Sequence, residues 1–155
     1  MRALIQRVTR AEVSVGGVPV GSIGRGLLIF LGLTHTDGPA DAAWLARKCA
    51  ALRVFADSAG RMNLSLAHTG GEALVVSQFT LYGDPSKGNR PGFSLAAEPG
   101  RAEILYEEFV NLLRGELGAD RVRTGSFGAI MAVSLENDGP VTIMAESPAS
   151  PGPAG

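Results

Sequence analysis

Two short polar segments of this 155-residue chain hold the groups best suited to chemistry. The first, residues 77–82, places Ser77, Gln78 and Thr80 directly after an apolar run. Hydroxyl and amide groups at the end of a strand, together with backbone N–H groups, can hold an ester carbonyl and stabilise the oxyanion that forms on attack. The same residues are also suited simply to hydrogen-bonding the end of the strand. The pattern alone leaves both interpretations open.

The second segment, residues 137–142, reads Asn-Asp-Gly-Pro-Val-Thr. A glycine before a proline in polar surroundings is typical of a turn. It is also a position where a cis peptide bond is accessible, because an X–Pro bond in the cis form costs only about 0.5–1 kcal/mol. A cis Gly139–Pro140 bond would aim two backbone carbonyl groups the same way. The residues by themselves favour the simple turn.

Other kinds of catalytic site find little support in the sequence. The two histidines, His35 and His68, lie far apart in predicted loops, and nothing arranges either as the base of a Ser-His-Asp triad. No His, Cys, Asp and Glu residues have the spacing of metal ligands, so we expect no metal and no cofactor. Cys49 lies on the apolar face of a predicted helix and is interpreted as a core residue.

The elements that must position these segments follow from the hydrophobic pattern. Strands are predicted at residues 3–8, 12–15, 18–20, 27–33, 53–55, 72–79, 129–135 and 141–145, with turns at 16–17, 57–60 and 137–140. A helix begins near Pro39 and carries Trp44, Leu45, Cys49 and Leu52 on one face. A second helix runs from Pro99 to about Leu117 with an apolar stripe of Leu105, Phe109, Leu112 and Leu113. The prediction is therefore a strand-rich α/β domain with two helices.

Composition limits the class of protein. Apolar residues make up 45% of the chain and charged residues 19%, as in ordinary globular proteins. No apolar run approaches the ~20 residues of a membrane-spanning helix, and the N-terminus lacks a signal-peptide pattern, so we expect a cytoplasmic protein with no membrane partner. A net charge of −1 disfavours a protein that wraps long nucleic acid. Residues 147–155 contain only Ser, Pro, Ala and Gly and are predicted to be a disordered tail.

Taken together, the two polar segments resemble the D-aminoacyl-tRNA deacylase family, also called the D-tyrosyl-tRNA deacylases. The likeness runs from Met1 to about Met144 and leaves out only the tail. It implies one domain over residues 1–146, a barrel-like core of mixed and antiparallel sheet, and a homodimer. The implied activity is hydrolysis of the ester of D-aminoacyl-tRNA, and of glycyl-tRNA mischarged on the tRNA for alanine, with L-aminoacyl-tRNA spared. The implied partners are the 3′ end of aminoacyl-tRNA and a second copy of the chain, not DNA.

The resemblance also implies roles for individual residues. Ser77, Gln78 and Leu81 would line the pocket, and Gln78 with the Phe79 backbone N–H would hold the reacting carbonyl. The terminal 2′-hydroxyl of the tRNA is the favoured nucleophilic group, and Thr80 ranks second because no activating base is evident near it. The motif inserted from the partner subunit comprises Asn137, Gly139, Pro140 and Thr142. Its Gly-Pro bond would be cis, and its carbonyl groups would accept the substrate ammonium and exclude an L-side chain.

Five further residues complete this expectation. Arg7 matches the arginine that fixes the orientation of the Gly-Pro bond. The residues expected near the terminal adenosine are Phe127 and Met131, and those expected near tRNA phosphates are Lys87 and Arg90. The chain departs from the family pattern at Gly83 and Gly92, which puts the rigidity of their loop in doubt.

Three competing interpretations remain. An animal relative of the fold has altered pocket motifs and shifted chiral selectivity, and the intact Ser77, Gln78 and Arg7 argue against it. A nucleic-acid-binding module without catalysis is disfavoured by the near-neutral charge and the absence of an aromatic cluster in the sequence. A generic small-ester hydrolase is disfavoured by the missing triad.

Overall fold

The structure, a computed structural model, describes residues 1–148. Its eight strands are β1 (Arg2–Val15), β2 (Val18–Ile23), β3 (Gly26–Gly32), β4 (Phe55–Ala56), β5 (Met62–Leu64), β6 (Glu72–Ser77), β7 (Val122–Thr124) and β8 (Ala132–Glu146). Its helices are α1 (Pro39–Ala51), α2 (Leu66–Thr69) and α3 (Pro99–Leu117), with short 3₁₀ turns at Phe79–Tyr82 and Ala119–Arg121. Within residues 1–148, none of the helices has both the length and the apolar character needed to cross a membrane.

The main sheet is organised by β1, which hydrogen-bonds to three strands. Its first half pairs with β3, its second half with β2, and β8 runs antiparallel along almost all of it. Beyond β3 the sheet continues with β6 and β7, which are parallel to their neighbours, so the sheet is mixed. It curls until β2 approaches β7, where a Cβ atom at Gly21 would lie 2.3 Å from the carbonyl oxygen of Thr124. Only glycine allows this approach, which nearly closes the barrel.

The two faces of the sheet bury two separate apolar cores. Residues of β3 contribute alternately to one core and to the other, because successive side chains of a strand point to opposite faces. Leu27, Ile29 and Leu31 pack with α1 and α3 on the outer face, while Leu28 lies with Val13, Leu74 and Val76 inside the barrel. Full burial of a side chain of this size contributes about 1.5–3 kcal/mol, so both cores hold the sheet in shape.

The closing strands differ most from the prediction. Residues 129–135 and 141–145 were expected to form a hairpin with a turn at 137–140, but residues 132–146 form the single strand β8. Two shifts in the β1–β8 register absorb the Asn-Asp-Gly-Pro segment. The Asn137 side chain replaces the lost ladder bonds, because its Oδ1 accepts from Val141 N–H at 2.8 Å and its Nδ2 donates to Val141 O at 3.1 Å. The turn prediction was therefore wrong.

Smaller differences have equally local causes. The predicted strands 3–8 and 12–15 are one strand, and the strand expected over 72–79 ends at Ser77. The helices α1 and α3 are confirmed, whereas the short elements β5, α2 and β7 were not predicted, since three or four residues carry too little periodicity. Leu112 is 37% exposed and does not belong to the buried stripe of α3.

The predicted tail falls mostly outside the described residues. Its first residue, Ser147, is buried, and its backbone N–H donates to the carbonyl oxygen of Met1 at 2.9 Å. Ser147 therefore packs against the domain. The prediction for residues 149–155 concerns a part of the chain that the structure does not describe.

Candidate active site

A cavity of about 620 Å³ opens where β6 ends. Ser77, Gln78 and Phe79 line one side of it, and Phe127 and Met131 line another. The remaining lining residues are mostly apolar: Leu31, Leu33, Val76, Phe93, Ala96, Ala97, Glu98, Pro99, Ala102, Gly128, Ala129 and Val133. An apolar cavity with a few convergent polar groups is the usual form of a small-ligand site.

The chain changes direction at Gln78. Its backbone N–H makes the last bond to β3, donating to Leu31 O at 2.8 Å, and its φ of −143° and ψ of 79° then lead into the 3₁₀ turn. The first N–H groups of any helix lack acceptors within that helix. The N–H groups of Phe79 and Thr80 accordingly have no acceptor among residues 1–148. Free backbone donors beside the cavity can bind a carbonyl oxygen or an oxyanion.

Thr80 is exposed and is absent from the cavity lining. Its hydroxyl oxygen accepts a short hydrogen bond from the Gln78 side-chain amide. Neither histidine serves it as a base. The ring of His35 bonds to Ser94 O at 2.7 Å, and that of His68 bonds to the Ser65 hydroxyl at 2.8 Å. This Ser–His pair belongs to the N-terminal cap of α2, so it is structural.

Sequence reasoning missed Arg2, which supports the 3₁₀ turn. Its Nη1 donates to Leu81 O at 3.0 Å, and its guanidinium carbon lies 4.4 Å from the centre of the Tyr82 ring. The Glu146 carboxylate accepts from Arg2 Nε at 2.8 Å. Burial, with a further contribution from nearby Asp37, raises the pKa of Tyr82 well above its usual range. No local pattern marks Arg2, because it reaches the turn only through β3, which pairs with β1 on one side and with β6 on the other.

The opposite side of the cavity is built on glycines. Gly128 has a φ of +74°, which turns the chain between Phe127 and Met131. Phe127 packs against Tyr106 with ring centres 5.5 Å apart, and Tyr106 is fixed by its hydroxyl, which donates to Val75 O at 2.9 Å. Both residues expected near the adenosine therefore face the same cavity as Gln78.

The loop of residues 84–92 is closed by two backbone hydrogen bonds between Asp84 and Gly92, of 2.7 and 2.9 Å. Lys87 and Arg90 are exposed on it and do not line the cavity. Phe93, another residue that sequence reasoning missed, follows the loop directly and does line the cavity.

The second polar segment lies elsewhere in the same chain. Arg7 pairs with Leu27 and donates to Asp138 O at 2.8 Å, whereas Ser77 pairs with Leu31. Four residues along a strand span about 13 Å, so one chain does not bring the two segments together. The Gly139–Pro140 bond is cis, and both residues are exposed.

Further hydrogen bonds hold this second segment in place. Arg7 also donates to Val54 O at 2.5 Å and lies 3.6 Å from the Asp138 carboxylate. The Thr142 hydroxyl accepts from Asn137 and from Gln6, both at 3.1 Å. The segment is therefore held firmly, and it presents Gly139 and Pro140 to solvent.

The cavity and the N–H groups of Phe79 and Thr80, which are free of acceptors within residues 1–148, form the kind of enzyme site that can hold a carbonyl group. Within residues 1–148, no three metal-ligating side chains come together. A family model described as D-Tyr-tRNA(Tyr) deacylase matches residues 4–146. The chain belongs to this family, and it hydrolyses the ester of D-aminoacyl-tRNA.

Individual relatives agree with the family model. A D-aminoacyl-tRNA deacylase of Salinibacter ruber is 59% identical, covering 94% of this chain and 97% of its own length. The D-aminoacyl-tRNA deacylase of Thermus aquaticus is 56% identical, covering 98% of this chain and 99% of its own length. A solved structure of a c-Myc DNA Unwinding Element Binding Protein is 44% identical with a TM-score of 0.92, covering 96% of this chain and all of its own. The fold is shared by a solved structure of a probable eukaryotic D-amino acid tRNA deacylase. It is 19% identical with a TM-score of 0.83, covering 94% of this chain and 98% of its own length.

Proposed function

We propose that the cavity binds the terminal adenosine of D-aminoacyl-tRNA between Phe127 and Met131, with the ester carbonyl directed at residues 77–80. The observation that carries this proposal is the pair of unbonded N–H groups of Phe79 and Thr80 beside the cavity. Such donors stabilise the charge that develops on the carbonyl oxygen during attack, and losing one typically costs 10²–10³-fold in kcat. Ser77 and Gln78 shape the same wall.

The proposed mechanism relies on position rather than on an activated side chain. An aminoacyl ester is reactive, so a fixed orientation and an oxyanion site supply most of what it needs. Water attacks the ester carbonyl with help from the terminal 2′-hydroxyl of the tRNA, and the tRNA oxygen of the ester leaves with a proton from that water. Thr80 is the weaker candidate, because its hydroxyl already accepts from Gln78 and both histidines are bonded elsewhere.

We further propose that a second copy of the chain supplies the chiral filter. Gly139 and Pro140 are exposed and lie about 13 Å along the sheet from their own cavity, with Asn137 and Thr142 holding them in place. Inserted into a partner's site, they would leave room for a D-side chain and collide with an L-side chain. Glycine has nothing to collide, so glycyl-tRNA mischarged on the tRNA for alanine would also be hydrolysed.

The basic residues and the compartment complete the proposal. Lys87 and Arg90 would contact tRNA phosphates from the 84–92 loop, since phosphate contacts position a nucleic acid without reading its sequence. Because the substrate is a tRNA of translation, the enzyme would act in the cytoplasm.

Single-turnover deacylation of D-tyrosyl-, L-tyrosyl- and glycyl-tRNA tests the substrate assignment. Loss of the D-ester and of glycine, with the L-ester spared, is the expected result. Equal rates for the D- and L-esters would show that the protein is a deacylase without the proposed chiral filter.

The shared site is tested by mixing two variants. Arg7→Lys should loosen the filter and admit the L-ester, whereas Phe79→Pro removes the N–H that would bind the ester carbonyl and should be slower by about 10²–10³-fold. If the filter acts on the partner's cavity, refolding Arg7→Lys with an excess of Phe79→Pro should restore rejection of the L-ester. The matched control is the double variant, which should restore nothing. Unchanged L-ester hydrolysis in the mixture would show that the filter acts within its own chain.

A nucleic-acid-binding function is the second candidate, and the likeness to a structure described as a DNA unwinding element binding protein favours it. The net charge of −1 weighs against extended phosphate contact. Tight, salt-dependent binding of duplex DNA, with no deacylation above buffer, would establish this alternative.

A further inference from the structure

Two aromatic side chains stand exposed at the mouth of the cavity. Phe79 is 58% exposed and Phe93 is 41% exposed, and their rings meet edge to face with centres 5.2 Å apart. Both also line the cavity, and Leu95, 52% exposed, is close to Phe93 in the chain. Contiguous exposed apolar surface beside a site marks a place where a ligand or partner binds.

Local structure holds these rings in place. Phe79 begins the 3₁₀ turn, and Phe93 follows the loop that Asp84 and Gly92 close. The carbonyl oxygen of Phe93 accepts from Ala96 N–H at 3.1 Å. A Cβ atom at Gly83 would lie 3.2 Å from a carbon of the Phe93 ring, so the glycine makes room for that ring against the turn. Rings fixed in this way lose little freedom when a flat ligand covers them.

The charges beside the rings indicate the kind of ligand. The 84–92 loop carries Lys87 and Arg90, with Asp84 as its single carboxylate. Hydrogen bonds from Ser86 to that carboxylate hold the pKa of Asp84 below its usual range, so it stays ionised and the loop has a net charge of +1 near neutral pH. Aromatic faces next to basic groups are the combination that binds single-stranded nucleic acid through stacking.

We propose that Phe79 and Phe93 form a stacking surface for the cytidine base that precedes the terminal adenosine of the tRNA. This inference rests on the proposed function, which puts the adenosine in the cavity that both rings border. The next nucleotide must leave the cavity through its mouth, where the rings lie. The loop with Lys87 and Arg90 then lies beside the path of the phosphates. The surface thus extends recognition from one nucleotide to two without reading sequence by hydrogen bonds.

The test compares two small substrates, the D-tyrosyl ester of adenosine and the D-tyrosyl ester of the dinucleotide CpA. Base–aromatic stacking predicts that the added cytidine raises kcat/KM of the wild-type protein by about 5- to 100-fold. Phe93→Leu, which keeps an apolar side chain but removes the aromatic face, should lose most of this gain. Phe93→Trp should keep it. Ile104→Ala, which removes an even more exposed apolar group on α3 (68% against 41% for Phe93), should keep the full gain.

Each other result has a definite meaning. Equal kcat/KM of the wild-type protein for both esters would overturn the stacking surface, and activity on D-tyrosyl-tRNA would show that the deacylase assignment stands. No hydrolysis of D-tyrosyl-tRNA would instead remove the proposed function itself. If Phe93→Leu lowers kcat/KM for both esters by the same factor and also shifts the sedimentation coefficient, the rings belong to a contact between copies of the chain, and the stacking proposal fails.

Discussion

In residues 77–82, the N–H groups of Phe79 and Thr80 lack acceptors among residues 1–148, whereas in residues 137–142 one side chain, Asn137, bonds twice to Val141 and once to Thr142. Both segments carry hydroxyl and amide side chains. The first borders a cavity of about 620 Å³, and the second lies within a strand that pairs along nearly its whole length. Polar side chains thus have different roles in the two segments, depending on whether the backbone around them is paired.

The difference teaches how a site can divide its work. Unpaired donors next to a cavity are available to a ligand, and they are tolerated because solvent or ligand can bond to them. A segment held by hydrogen bonds from Arg7 and Asn137 keeps its shape when a ligand arrives, which suits a group that must reject by collision. The first segment is built for binding and the second for rigidity, and three experiments probe that division.

The largest effect is expected from removing the donor of the first segment. Phe79→Pro deletes the N–H at the first position of a helical turn, where proline is otherwise tolerated. We expect kcat for D-tyrosyl-tRNA to fall by about 10²–10³-fold, as on loss of an oxyanion donor. Single-turnover rates at saturating enzyme measure this loss.

The control for that experiment is Phe79→Leu, which loses the ring but keeps the N–H. Activity of Phe79→Leu on the D-tyrosyl ester of adenosine should fall far less than that of Phe79→Pro. An equal fall in both variants, with unchanged circular dichroism, would show that the backbone donor has no special part.

A smaller effect is expected from loosening the second segment. Arg7→Lys cannot keep bonds to both Val54 O and Asp138 O, since lysine lacks the forked geometry of the guanidinium. We expect the ratio of D- to L-tyrosyl-tRNA hydrolysis to fall by about 10- to 150-fold, because one charge-assisted bond is worth about 1.5–3 kcal/mol.

The matched control lies on the same strand. Arg10 is well exposed, and its one ion pair within residues 1–148 is a 3.9 Å contact with Glu136, so Arg10→Lys should leave the ratio unchanged. If Arg7→Lys and Arg10→Lys have the same D/L ratio, Arg7 has no specific role in chiral selection.

The smallest effect is expected on the stability of the protein at alkaline pH, through Tyr82 at the end of the first segment. Burial raises the pKa of Tyr82 above the value of about 10 that it has in the unfolded chain. Below pH 10 the phenol is protonated in both states and contributes no pH dependence. Above pH 10 only the unfolded chain loses the proton, so stability falls by up to about 1.4 kcal/mol per pH unit.

Urea unfolding of Tyr82→Phe from pH 8 to 11 measures this contribution. The variant should lose less stability than the wild-type protein above pH 10, although Tyr106, whose pKa is also raised by burial, retains part of the slope. Parallel stability curves for the two proteins would mean that Tyr82 ionises as easily in the fold as outside it.

Much of the domain could be predicted from residues close together in the chain. The apolar run 27–33 became β3, the glycine pair at 16–17 became the turn after β1, and Pro39 became the first residue of α1. Such signals are local, because periodicity, turn residues and helix caps act within a few residues. The same holds for the order of residues in the two polar segments, which carried the resemblance to the family.

What only the tertiary structure decided depends on residues far apart in the chain. The Asn-Asp-Gly-Pro segment has turn chemistry, yet it lies inside β8, because β1 offers a partner strand along its length and Asn137 replaces the missing ladder bonds. Arg2 supports the turn at Leu81 across 79 positions, and Phe93 meets Phe79 because residues 84–92 close into a loop. A linear pattern carries no information on such contacts, since each forms only when the sheet curls and sets two distant segments side by side.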